Sequence, residues 1–184
     1  MILPIYIYGQ PVLREVAEEI DIENYPNLDE LIENMFETMH AASGIGLAAP
    51  QIGLAERIFV VDLSPLEEDI PELTDFKKVF INAEIVEEDG DKVAMEEGCL
   101  SIPGIHEEVK RPSRIRIIYD DEQGVEHDEV YTDFQARVIQ HEYDHIEGIM
   151  FVDHISPLRR RMNRTKLQNM QKGVVRCDYR FKTV

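Results

Sequence analysis

"QHEYDHIEG", residues 140–148, sets His141 and His145 four positions apart with Glu142 directly after the first. On an α-helix, residues i and i+4 are neighbours one turn apart. Two imidazoles so placed can share one cation, and the carboxylate between them can reach a water bound to it. The reading needs a helix here, and the flanks offer one. "TDFQ", Thr132 to Gln135, has capping-box form, Gly148 suits the residue after the last turn, and Phe134, Val138 and Ile139 give an apolar face. The expectation is a helix of about four turns at the usual rise, apolar toward a core and carrying metal donors.

Three-ligand sites need a further side chain. A metzincin-like continuation would put a third His at position 151, which is Phe151, and no Glu follows Glu147 to serve as a gluzincin ligand. Asp153 and His154 lie just past the glycine-ended helix. Cys99 is the better candidate, because it sits in "EEGCLSIPG", a segment with Gly98 before it and Pro103–Gly104 after it, as suits a thiolate displayed at a loop. Cys177, in the polar tail, reads as a small apolar filler or a surface thiol.

Around this helix the chain reads as mixed α and β. "PVLREVAEEI" starts a short helix with Pro11 at a plausible first position. From Asn27, with Glu30 three places on, a second helix opens with the stripe Leu28, Leu31, Ile32, Met35, Phe36 and Met39. "GIGLAAPQIG" breaks regularity. "RIFVVDL", "KVFINAEIVEE", "HEEVKRP", "RIRIIYDD" and "HDEVYTDF" read as strands, with turns at Asp89–Gly90 and Gln123–Gly124. Residues 64–78, "SPLEEDIPELTDFKK", read as an acidic surface loop. "SPLRRRMNRTKLQNMQKG" reads as a last helix with Ser156 as N-cap and Gly173 as stop. The fold class is therefore α+β, with antiparallel or mixed strands packed around a central helix carrying His-Glu-x-x-His and with a C-terminal helix. No repeat or linker divides the chain, so one domain over residues 1–184 is expected, with a basic helix over about 157–172 and a short tail, 173–184.

The 184 residues are 43% hydrophobic and 30% charged, enough for a real core. No apolar run approaches the roughly 18 residues of a membrane span, and "MILPIYIYGQP" lacks the basic region of a secretory signal. Two cysteines are too few for a disulfide framework, which points to a reducing cytoplasm. A net charge of −18 argues against DNA binding. The charge is uneven: from Pro157 onward nine Lys and Arg face one acid, Asp178, while the preceding part holds 10 basic and 36 acidic residues.

"GIGLAAPQ" (44–51), "EGCLS" (97–101) and "QHEYDH" (140–145), in this order and with these separations, resemble the three signature motifs of peptide deformylase, and the resemblance extends over essentially the whole chain. It implies a hydrolase that removes the formyl group from the formylmethionine of nascent polypeptides and releases formate. The implied ligands of one divalent metal are Cys99, His141 and His145, with Fe2+ native and Zn2+, Ni2+ or Co2+ as replacements. Affinity order alone would favour zinc or nickel. Glu142 would move the proton, and the Gln51 side chain and the Leu100 backbone N–H would meet the developing oxyanion. Gly44, Ile45 and Gly46 would offer an edge to the peptide, Glu97 and Gly98 would flank it, and Phe134 and Val138 would line the methionine slot with Ile45. Many bacterial relatives carry Arg shortly after "EGCLSIP"; here His106 stands in that place, which bears on contacts at the rim. The basic C-terminal helix implies docking on ribosomal RNA. Two rivals differ in their needs: a zinc endopeptidase would require His154 or Asp153 as ligand, and a non-catalytic metal module would require neither Glu142 nor an open coordination position.

Overall fold

The computed structural model describes residues 1–184. Its centre is a five-stranded antiparallel sheet in the order β2-β3-β4-β5-β6, formed by β2 (Gly46–Ala48), β3 (Ile58–Asp62), β4 (Lys77–Cys99), β5 (Ile102–Asp120) and β6 (Glu126–Thr132). Strand β3 is buried along its whole length, because helices cover both faces of the sheet. Its Phe59 and Val61 join Ala136, Val138, Ile139 and Ile146 of α2 (Asp133–Ile146). Its Ile58 and Val60 join Ile32, Met35 and Met39 of α1 (Leu28–Ala41). Alternating side chains thus serve two cores, which is why this strand reads as an unbroken apolar run. A third cluster lies under the chain ends, where β1 (Ile5–Tyr6) pairs in parallel with β7 (Phe181–Lys182).

Helix α2 begins where expected, with Thr132 at the N-cap position, but no side-chain cap bond forms there, nor at Asn27 before α1, which is left-handed. The C-terminal stop behaves as read. Gly148 turns left-handed at φ +74°, its N–H reaches His145 O, and Ile149 N–H reaches Asp144 O at 2.8 Å, the pairing of a glycine-terminated helix. A Cβ at Gly148 would lie 2.7 Å from Arg14 O, so the last turn of α2 packs directly on the N-terminal segment.

Five expectations need correction. The helix expected from Pro11 is a single 3-10 turn, Pro11–Arg14; beyond it Ala17 and Glu18 donate their N–H groups to Ile146 O and Ala55 O, and these tertiary bonds outweigh local helix preference. Asp89–Gly90 is no hairpin turn. β4 runs through it with a register shift between Asp89 and Lys92, because β5 is long enough to pair on both sides, as Asp89↔Arg114 and Lys92↔Pro112. "HEEVKRP" and "RIRIIYDD" are accordingly one strand, β5. The 64–78 stretch holds two 3-10 turns and buries Leu73 and Phe76. The last helix is two, α3 (Pro157–Met162) and α4 (Arg164–Gln171), interrupted at Asn163. The Asn163 side chain is buried and donates to Glu107 Oε1 at 2.8 Å and to Arg159 O at 2.9 Å, competing with the helix for its carbonyl. Ser156 does cap α3, accepting from Arg159 N–H at 3.2 Å. Leu167 is buried, whereas Leu158 and Met162 are exposed.

Candidate metal centre and substrate cleft

The β4–β5 hairpin brings Cys99, the last residue of β4, against α2. Its Sγ lies 3.2 Å from His145 Nε2, and the donor atoms of Cys99, His141 and His145 all fall within 4.8 Å of one another. A tetrahedral ion at usual bond lengths separates such donors by about 3.3–3.6 Å, so the side chains need only small shifts to share one. Asp153 and His154 are elsewhere: Asp153 pairs with Arg14, and His154 Nε2 lies 2.8 Å from Asp144.

Donor tautomers are set from behind. Glu97 Oε1 lies 2.8 Å from His141 Nδ1, which turns Nε2 toward the cysteine side. Glu97 also accepts from Arg111 Nε at 2.6 Å and from Arg137 at 2.7 Å, and Arg111 reaches Asp144 at 2.9 Å. Burial alone would raise the Glu97 carboxyl, but its hydrogen bonds from His141 and Arg111 hold it far below the usual range. Glu97 is buried, its side-chain oxygens are engaged by Arg111, Arg137 and His141, and the residue also lines the cleft beside Gly98. For His145, burial and then the neighbouring charge of His141 push the imidazole well below its ordinary value, keeping it neutral. Burial opposes charge on His141 too, but bonding to Cys99 and Glu97 draws its value up.

Glu142 is buried, and its Oε2 has no hydrogen-bond partner; nor does Nδ1 of His145. Burial lifts the Glu142 carboxyl to about 7, partly offset by His141. The side chain lies in space left by Gly46: a Cβ there would stand 2.5 Å from Glu142 Oε1. Gln51 is buried in the 3-10 turn after β2. Its Oε1 accepts from Ala48 N–H at 2.9 Å, so its NH₂ group faces Ser101 Oγ at 3.1 Å and Cys99 Sγ at 3.5 Å. These groups open onto a cleft of about 630 Å³. Gly44, Ile45 and Gly46 line one side of it, Gly98, Cys99 and Leu100 another, and Phe134 and Val138 its α2 wall, with His106 also present.

Three parts of this arrangement escaped the sequence reading, the first being Arg111 on β5, which carried no signal. Arg137 precedes His141 by one turn on the same helix face, a spacing that could have flagged it. The tail brings Arg176, Cys177, Asp178 and Tyr179 to the cleft. Its signal was a period-two alternation, with Val175, Cys177, Tyr179 and Phe181 half-buried and the residues between them exposed.

A cysteine sulfur, two imidazoles and an unpaired carboxyl group beside an open cleft are the equipment of a metal-dependent hydrolase, and the α+β frame holds them on one helix and one hairpin. The polypeptide deformylase family model matches residues 2–161. The peptide deformylase of Christiangramia forsetii is 50% identical over 99% of this chain and 96% of its own, and that of Flavobacterium johnsoniae is 51% identical with the same coverage. The crystal structure of peptide deformylase from Thermus thermophilus superposes with a TM-score of 0.82 at 40% identity, covering 94% of this chain and 99% of that one. The chain belongs to the peptide deformylase family, metal-dependent hydrolases that deformylate polypeptides, and it is an enzyme of that kind. No helix is long and apolar enough to cross a membrane.

Proposed function

We propose that this chain removes the formyl group from the N-terminal formylmethionine of nascent polypeptides, with Cys99, His141 and His145 holding one divalent metal and Glu142 carrying the proton. The observation that carries the reading is the buried, unpaired Glu142 oxygen beside a Cys-His-His donor set. A bound metal would supply Lewis acidity, making water nucleophilic at neutral pH and polarising the formyl group. Glu142 takes the proton from the attacking water and hands it to the departing amine, a task for which its buried, unpartnered oxygen is placed. The Gln51 amide, oriented by Ala48, and the Leu100 N–H donate to the formyl oxygen as it gains charge. Gly44, Ile45 and Gly46 receive the peptide backbone as an added strand, Gly98 lies beside it, and Phe134, Val138 and Ile45 receive the methionine side chain.

Iron(II) is proposed as the resident ion on the family resemblance; the donor chemistry also accepts Zn2+, Ni2+ and Co2+. Residues 1–184 are read as one catalytic domain, and the cytoplasm as its place of work. The α3–α4 segment is proposed to dock on ribosomal RNA. It is supported by a groove lined by Arg160, Arg161 and Arg164 with Gln168 and Gln171, on a chain otherwise acidic enough to repel RNA.

Formate release from a formyl-Met tripeptide by metal-loaded enzyme tests the reaction, with the acetyl-Met peptide and casein as alternatives. The formyl peptide should be turned over and the acetyl peptide essentially ignored, since the extra methyl must enter where only a hydrogen fits. Comparable cleavage of casein would support an endopeptidase instead.

A further inference from the structure

Beyond α4 the chain does not trail into solvent. After Gly173 turns left-handed, residues 174–184 run as an extended strap across the molecule and end in β7. The strap is anchored at its far end: Ile5 N–H donates to Arg180 O at 2.9 Å, Ile7 N–H to Lys182 O at 3.1 Å, and the Gln10 side chain to Thr183 O. Between its ends it passes the cleft. There the Tyr179 hydroxyl donates to Leu100 O at 2.5 Å, and Val175 and Phe181 pack on the same apolar cluster that Cys99 touches.

We infer that this strap is a working part of the substrate cleft, with Tyr179 a positioning residue for the turn that carries Cys99 and Leu100. The inference rests on the deformylase reading above, which makes Leu100 N–H an oxyanion donor. That N–H sits at the tip of the β4–β5 hairpin, between the paired residues Cys99 and Ile102, where no ladder bond holds it. The tip is held from three sides. Tyr8 N–H reaches Ser101 O at 2.8 Å, Gln51 Nε2 reaches Ser101 Oγ at 3.1 Å, and Tyr179 reaches Leu100 O. The first two act on Ser101. Tyr179 alone of the three grips Leu100 itself, holding the Leu100–Ser101 peptide plane, which adjoins the plane that carries the Leu100 N–H and so limits its swing. Donors that stabilise developing charge work only when their geometry is set beforehand, and a hydrogen bond from a chain segment distant in sequence sets it without touching substrate. Arg176 and Asp178, exposed on the strap, also line the cleft.

The test is Tyr179→Phe, which removes one hydroxyl and keeps the ring, compared with wild type as metal-loaded enzyme on a formyl-Met tripeptide. Outright loss of an oxyanion donor costs about 100–1,000-fold in kcat; loosening one should cost less, about 5–20-fold, with KM within about twofold. Metal content should match wild type, and Tm should fall by no more than about 2–6 °C, as the loss of one hydrogen bond implies. Unchanged kcat in Tyr179→Phe overturns the inference, and so does a fall in kcat that merely tracks lost metal or a lowered Tm. Wild-type enzyme inactive on the tripeptide would strike the deformylase reading itself, so the two failures are distinguishable.

Discussion

Gly46 is adjacent to Glu142 because it has no side chain: the carboxylate fills the space where a Cβ would stand. Gly46→Ala should push Glu142 aside while leaving the metal donors in place. A misplacement of about 1 Å in a reacting group costs on the order of 100-fold, so kcat should fall by about that factor while metal content, read by atomic absorption, stays at the wild-type level. Glu97 is the other residue whose neighbours decide its behaviour. Two buried arginines and His141 depend on its charge, and its folded carboxyl lies below the ordinary value of 4.5. A depressed carboxyl contributes stability that is present above the unfolded value and lost as pH falls below it. Tm should therefore drop as pH is lowered from 4.5, and a Glu97→Gln variant should show a smaller acid-dependent drop from a lower starting Tm. An acid limb identical in the two proteins would show that other groups govern it.

At the level of elements, the signals read correctly were those with a local physical cause. α2 was legible because its apolar face, its N-cap position and Gly148 agree, and His141, Glu142 and His145 came with it. What failed was decided by partners distant in sequence. Asp89–Gly90 looks like a turn until β5 pairs on both sides of it, Pro11–Glu19 looks helical until Ile146 and Ala55 accept its N–H groups, and Asn163 breaks α3 from α4 because Glu107 awaits its side chain. That break matters for the basic surface. Arg159 is tied to Glu107 at 2.7 Å and Arg160 only loosely to Asp153 at 3.5 Å, which leaves Arg161 and Arg164 to face the groove without an ion-pair partner. Charge reversal at Arg160, Arg161 and Arg164 should abolish low-salt co-sedimentation with ribosomes and leave turnover of a free formyl-Met tripeptide unchanged. Unaltered co-sedimentation would leave this groove with no part in docking.

Across the whole molecule, the cleft is where separate stretches of chain meet: the 44–51 segment, the β4–β5 tip, α2 and the C-terminal strap. The first three were visible as sequence motifs, because metal ligands and the groups beside them admit few residue types. The buried Arg111 and Arg137 and the strap were not, since an arginine in a strand or an alternating tail looks the same in sequence whether it is solvated or engaged. On the proposed mechanism, a metal held by Cys99, His141 and His145 works only with Glu142 as proton carrier. That requirement is tested most directly by the rate of formate release from a formyl-Met tripeptide by Glu142→Ala enzyme, with its metal content determined on the same sample. Wild-type metal content with a loss of several orders of magnitude in kcat is expected; metal-loaded Glu142→Ala enzyme with near wild-type turnover would rule out Glu142 as the proton carrier.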